Sequence, residues 1–344
     1  MNLDTDFERI SLPLEDAFTI ARESQERAEN VVVTVSDGEH TGVGGAAPSA
    51  HYGETAGTVE AVLPDLLSVV GSVGDPHALA EIERHMRETV RSNPAARCAV
   101  SIACHDLVCK RLSLPLYRYW GLDTATPPTS YTIGLDSTER MGEKTAEAIE
   151  AGYDSLKVKL GTDRDREIVE AVREAAPDAT IRVDANEAWQ PNEAVRVIRD
   201  LADLGVEFVE QPVPAEEPEG LKFVHERSVL PIAADESCVT LADVPQVAGR
   251  AAIANIKLMK CGGLREARRM IGAARAHGLE VMLGCMIESN ASIAAACHLA
   301  PLVDYVDLDG SLLLAENSYE GVSMPEGRID LAGCDRPGTG ARRR

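Results

Sequence analysis

The second half of this 344-residue chain repeats one arrangement: a short apolar run that ends in a charged residue. The runs are Leu156-Lys157-Val158-Lys159, Ile181-Arg182-Val183-Asp184, Val206-Glu207-Phe208-Val209-Glu210, Ile232-Ala233-Ala234-Asp235, Ala254-Asn255-Ile256-Lys257 and Tyr305-Val306-Asp307-Leu308-Asp309. From Lys159 to Asp184 is 25 residues, to Glu210 a further 26, to Asp235 25 and to Lys257 22. Lys257 to Asp307 is 50, two steps of 25, and Val281-Met282-Leu283-Gly284-Cys285 supplies the run at the midpoint. A strand, a crossover helix and two loops need roughly 25 residues, because parallel neighbours cannot be joined by a tight turn. The spacing therefore predicts a (β/α) barrel, in which the C-terminal ends of the strands share one mouth. Charged residues scattered over 150 positions are brought around a single cavity.

Residues 1–124 do not follow that period and read as an α+β domain placed before the barrel. Asn30–Val35 is a strand, Asp37-Gly38 a turn, and Thr41–Ala47 pairs back. Helices are expected over about 54–70, 77–91 and 95–112. The polar stretch from Leu12 to Asn30 is expected to be a mobile loop beside the barrel mouth. Pro127-Pro128 marks the boundary, and Tyr131–Gly134, 26 residues before Lys159, is the first barrel strand. Helical spacing recurs at 164–175, 191–204 and 264–277. After Asp309 the last helix is missing. The polar tail, residues 316–344, is expected to return and complete the first domain, which leaves 125–315 as the barrel.

A net charge of −22 argues against nucleic acid and anionic membranes as partners, since both require basic patches. No run approaches the ~20 apolar residues of a bilayer span and no signal-peptide pattern opens the chain, so a soluble, cytoplasmic protein is expected. With 34 basic residues and seven lysines, 34 − 7 leaves 27 arginines, and the acidic excess suggests a salt-adapted surface. Against that scarcity, four of the seven lysines fall at two strand ends. The eight cysteines form no C-x-x-C pair and are read as reduced and mostly buried.

Asp184, Glu210 and Asp235 end three successive strands, which sit ~4.8 Å apart, so they can share one ion. Three oxygen ligands with room for water suit Mg²⁺, and the absence of His or Cys at these stations argues against zinc. Lys159 precedes the trio and Lys257 follows it, so their ammonium groups face each other across the metal. A nearby cation lowers a lysine pKa toward that of a useful base, and Lys157 could supply one. The chemistry is abstraction of an α-proton beside a metal-bound carboxylate, through an enediolate. Two bases on opposite faces give racemisation or epimerisation, whereas one base gives elimination or cycloisomerisation. Asp307 and Asp309, spaced i, i+2, lie beyond the metal ligands and suit a substrate ammonium or a second cation.

The motifs Lys157-x-Lys159, Asp184-x-Asn186, Glu210-Gln211-Pro212, Asp235-Glu236-Ser237 and Ile256-Lys257 with Gly262-Gly263 resemble the muconate-lactonizing subgroup of the enolase superfamily. The resemblance implies a capping domain completed by the tail and a (β/α)7β modified TIM barrel. It also makes Lys159 and Lys257 the acid/base pair and Asp184, Glu210 and Asp235 the Mg²⁺ ligands. Asp307-x-Asp309 followed by Gly310 and Leu312-Leu313 is similar to the dipeptide epimerases, where the aspartate pair holds the α-ammonium of a dipeptide; Ser311 departs from an expected proline. The expected activity is epimerisation at the α-carbon of the C-terminal residue. N-acylamino acid racemase, o-succinylbenzoate synthase and muconate cycloisomerase are the alternatives on the same scaffold. Arg22 is expected to pair with an acidic substrate side chain, Thr132 and Lys157 to touch substrate, and the chain to form a homo-oligomer.

Overall fold

The computed structural model describes residues 3–344. The chain opens with two long antiparallel strands, β1 (Asp4–Ile20) and β2 (Glu23–Ser36), and β3 (Thr41–Ala46) pairs with β2. Four helices follow: α1 (Ala56–Val73), α2 (Leu79–Thr89), α3 (Pro94–Arg111) and the short α4 (Leu116–Tyr119). Local chemistry sets the ends of α1. Thr55 and Thr58 form a reciprocal capping box, and Gly74 takes the left-handed conformation that ends the helix.

The barrel has eight parallel strands in sequence order: β4 (Tyr131–Ile133), β5 (Ser155–Lys159), β6 (Thr180–Asp184), β7 (Val206–Glu210), β8 (Ile232–Ala234), β9 (Ile253–Lys257), β10 (Glu280–Gly284) and β11 (Tyr305–Asp307). Seven crossovers carry α5 (Thr138–Glu150), α6 (Asp165–Ala175), α7 (Pro191–Ala202), α8 (Pro218–Arg227), α9 (Val244–Val247), α10 (Leu258–Cys261) with α11 (Leu264–Ala276), and α12 (Asn290–Cys297). In α7, Pro191 opens the helix and Ala194, Ile198 and Leu201 bury one stripe against the strands. Each of the two larger side chains contributes about 2 kcal/mol by leaving water. The first and last strands close the sheet through the amide of Ser130, which donates to Val306 O at 3.0 Å, and that of Leu308, which donates to Thr129 Oγ1 at 2.7 Å. Only short 3-10 turns, and no α-helix, follow β11. Arg182 fills the barrel interior below the mouth, between the rings of Phe208 and Tyr305, and donates to Ser130 Oγ at 2.9 Å.

The expectation of a mobile loop over residues 12–30 is corrected: the segment forms the outer halves of β1 and β2. Most of its side chains are exposed or half-buried on both faces, so the apolar alternation that marks a half-buried strand is missing. It is held by backbone bonds instead. Glu15 N donates to Leu313 O (3.1 Å), Ala315 N to Pro13 O (2.9 Å) and Leu135 N to Thr19 O (2.8 Å). Register shifts between Pro13 and Phe18, a bulge that re-aims the intervening side chains.

The tail pairs β12 (Tyr319–Glu320) with β13 (Arg342–Arg343), and Thr339 N donates to the buried Asp106 on α3 at 2.7 Å. All eight cysteines are free; Cys285 and Cys334 are half-buried and the other six are buried. Among the described residues one helix, α1, is long and apolar enough by composition to cross a membrane, with mean hydropathy 1.4. It also carries Glu60, Pro64 and Asp65, and buries Val59, Leu63, Leu66 and Val70 in the cap core.

Helix α3 lies so close to β3 that a Cβ on Gly44 would collide with the carbonyl oxygen of Ala99. Gly44→Ala is expected to lower stability by about 2 kcal/mol through overpacking, read as a shift of the urea midpoint. An unchanged midpoint would show that the two elements can separate freely.

Candidate active site

The ladder places the charged strand ends at one height. Lys159, Asp184 and Glu210 are register partners across β5, β6 and β7. Lys257, Gly284 and Asp307 are partners across β9, β10 and β11. Gly284 has a steric reason to be bare: a Cβ there would lie 2.7 Å from Asn255 Oδ1 and 3.0 Å from Lys257 Cε. Asp235 follows β8 directly. A cavity of about 580 Å³ opens at this end, and Lys157, Lys159, Asp235, Lys257, Asp307 and Asp309 all line it. Thr132 from β4 and Arg22 from the hairpin reach the same space.

Every one of these carboxylates and lysines is buried. Lys159 Nζ is 2.6 Å from Asp184 Oδ2, and Lys257 Nζ is 2.7 Å from Asp235 Oδ2. Lys157 Nζ bonds Asp307 Oδ2 and lies 3.7 Å from Glu210 and 3.9 Å from Asp184. Burial disfavours the charge on Asp184, but Lys159 and Lys157 outweigh it and hold the carboxyl below its usual range. Lys257 and Lys260 do the same for Asp235. Burial and the charge of Asp184 push Glu210 the other way, up to about 8. Burial and Asp307 push Asp309 up to about 6.

Four carboxylates surround Lys157 and hold its charge in place. Burial and Lys157 act to lower the pKa of Lys257, yet Asp235 and Glu210 outweigh them and it is raised. The Arg22 guanidinium is paired with Glu236 at 2.7 Å and Glu187 at 3.3 Å, which ties the hairpin to the barrel at the edge of the cavity. Thr132 meets Asp309 through both its side chain and its backbone, whose amide donates to Asp309 Oδ2 at 2.6 Å. Asp309 lies two residues past β11, at the start of a 3-10 helix (Asp309–Ser311), not on the strand.

Three supporting residues were given no role of their own by the sequence reading. Asn255 donates to Glu210 Oε1 at 2.6 Å. Gln211, held at φ 33°, accepts from the amides of Asp235 (2.9 Å) and Ser237 (3.1 Å) and so joins two strand ends. Lys260, in the turn after β9, donates to Asp235 Oδ1 at 2.5 Å and to the carbonyl oxygens of Asp235 and Asn255 at 2.6 and 3.0 Å. The rarity of lysine was the available signal for Lys260.

The donor set of Asp184, Glu210 and Asp235 fits a hard divalent cation. Glu210 Oε2 is buried without a hydrogen-bond partner, which a cation would satisfy. A second group, His51, Glu187 and Glu236, has ligand atoms within 4.8 Å of one another. Arg22 already occupies that cluster, and a metal there would face its positive charge, so the buried trio is the better site.

Lys260→Ala is expected to lower the stability of the metal-free protein by about 3 kcal/mol, because it leaves Asp235 under-compensated in a buried position. Denaturation in the presence of a chelator reads the loss, and a change under about 0.5 kcal/mol would show the contact to be incidental.

Residues 140–342 match the family model described as enolase C-terminal domain-like. Residues 8–121 match the mandelate racemase/muconate lactonizing enzyme N-terminal domain. The chain is 40% identical to an L-Ala-D/L-Glu epimerase of Bacteroides thetaiotaomicron, over 96% of this chain and 85% of that one. Two solved structures superpose over 99% of both chains. One is a dipeptide epimerase of Enterococcus faecalis complexed with Mg and L-Leu-L-Tyr (TM-score 0.92, 34% identity). The other is a dipeptide epimerase of Methylococcus capsulatus complexed with Mg and L-Arg-D-Lys (TM-score 0.91, 36% identity).

Proposed function

From the premise that this chain belongs to the enolase superfamily, with the two domains of its mandelate racemase/muconate lactonizing enzyme branch, we propose that it is a Mg²⁺-dependent dipeptide epimerase. It inverts the α-carbon of the C-terminal residue of a dipeptide. The observation that carries this reading is the placement of Lys159 and Lys257. They line one cavity from strands on either side of the three carboxylate-bearing ends, with the Asp307–Asp309 pair in the same wall.

Asp184, Glu210 and Asp235 would hold the ion. When bound, Mg²⁺ supplies the positive charge that stabilises a substrate carboxylate as the neighbouring α-proton departs. Lys159 and Lys257 handle that proton from opposite faces, one removing it and the other returning one. Without the ion, Asp235 and Glu210 raise the pKa of Lys257. For the opposite epimer the two lysines exchange roles. Lys157 stays charged between Asp307, Glu210 and Asp184 and keeps these carboxylates in position.

Asp307 Oδ1 is buried without a hydrogen-bond partner, and Asp309 stands two residues on. Together they favour a substrate with a free α-ammonium, which N-acylamino acids, o-succinylbenzoate precursors and muconate lack. Eight unpaired cysteines support a reducing, cytoplasmic setting. The exposed Leu112, Leu114 and Tyr119 near the end of α3 support a homo-oligomer.

In D₂O the holoenzyme should exchange the α-proton of the C-terminal residue of L,L dipeptides. Lys159→Ala and Lys257→Ala should each lower turnover by about 10³-fold. Full exchange and turnover in both variants would remove the lysines from these roles.

Asp309 must be ionised to hold an ammonium, and its pKa is raised to about 6. Protonation on acidification then removes the binding charge, so kcat/KM should fall as pH drops through about 6. In Asp309→Asn the overall value should be lower and this acidic limb absent. A limb that survives unchanged would assign it to another group.

A further inference from the structure

A second, smaller cavity of about 210 Å³ adjoins the main one and shares Phe18, Thr132 and Leu313 with it. It lies between the bulge of β1 and the first barrel strand, with Glu15, Tyr131 and Tyr153 in its remaining wall. The reading above places the α-ammonium of the dipeptide at Asp307 and Asp309. Asp309 is bonded to the backbone amide of Thr132, the residue the two cavities share. The side chain of the N-terminal residue leaves the same carbon as that ammonium, so it starts at the entrance to the smaller cavity.

The chemistry of that cavity is selective. The tyrosine rings of Tyr131 and Tyr153 pack with centroids 4.5 Å apart and planes tilted by 32°, which gives an aromatic wall for a long aliphatic stem. Beyond it stands Glu15, whose backbone is pinned by the amide bond to Leu313 O and whose side chain is exposed at the mouth of the cavity. Among the described residues no ion pair to Glu15 is present, whereas its neighbours are matched. Asp16 lies 3.6 Å from Arg140, and Glu147 2.8 Å from the same guanidinium. Lys144, the cation lining the cavity, is held by Asp136 at 3.1 Å and Asp16 at 3.9 Å. The unmatched charge left in the cavity is negative. The charge of Glu15, after burial and Asp309, also acts on the hydroxyls of both tyrosines, which places it within electrostatic reach of the cavity floor.

We propose that this cavity is the subsite for the side chain of the N-terminal residue, and that Glu15 selects dipeptides led by lysine or arginine. The stem lies along Phe18 and the two tyrosines, and the cationic head meets the Glu15 carboxylate at the rim. The inference rests on the dipeptide reading and adds its specificity at the first residue.

The test compares kcat/KM of the Mg²⁺-loaded enzyme for L-Lys-L-Ala, L-Leu-L-Ala and L-Glu-L-Ala, read by α-proton exchange in D₂O. The lysine-led substrate should exceed the glutamate-led one by about tenfold or more. Glu15→Gln should reduce that ratio about fivefold, the scale of one partly exposed ion pair. Glu15→Lys should turn the preference toward the glutamate-led substrate, and Glu15→Asp should keep the wild-type order. Equal use of the three substrates by the wild type, or a ratio unmoved in both Glu15→Gln and Glu15→Lys, overturns the subsite. Absence of exchange with every dipeptide would instead bring down the epimerase reading beneath it.

Discussion

The structure depends on keeping a group of negative charges out of water. Asp184, Glu210, Asp235, Asp307 and Asp309 are all nearly inaccessible, and a lone buried carboxylate would be strongly unfavourable. Four lysines stand among them, each within salt-bridge distance of at least one. The scarcity of lysine elsewhere and its concentration here have the same physical origin. The compact ammonium can be inserted between carboxylates at a strand end, whereas arginine, with its wide planar fork, serves on the surface, at the hairpin and, as Arg182, between two aromatic rings below the mouth. A divalent cation added to this set would take over part of the compensation that the lysines provide. Their ammonium groups would then be freer to exchange protons with a substrate.

Part of this was legible in the sequence. Barrel strands and their ends could be placed because the length of a βα step is fixed by crossover geometry, and because strands buried on both faces are continuously apolar. Asp184 and Glu210 close such runs at the same height, so their proximity follows from counting. The outer hairpin could not be read in the same way. Its strands are largely wet on both faces, and what fixes them is backbone bonding to Leu313, Leu135 and Ala315, which side-chain patterns do not encode.

The supporting residues were hidden for another reason. Asn255 is two positions before Lys257 and looks like an ordinary polar residue in a strand. Its amide matters only because Glu210, 45 residues earlier, arrives beside it. Gln211 and Lys260 likewise act through partners on other strands. The partners of Arg22 were hidden in the same way, since Glu187 and Glu236 come from the loops after β6 and β8.

The hairpin makes its backbone bonds to the segments just after β4 and just after β11, the two strands that meet to shut the barrel. The earliest part of the polypeptide is thereby fastened across a seam that exists only once the latest strand has arrived. A partly assembled barrel would present its lysines and carboxylates to bulk solvent, without a roof and without the smaller chamber beside Thr132. Contacts spanning some 300 residues are slow to form. Full enclosure of the reactive groups thus requires the hairpin, the first barrel strand and the last to be in place together.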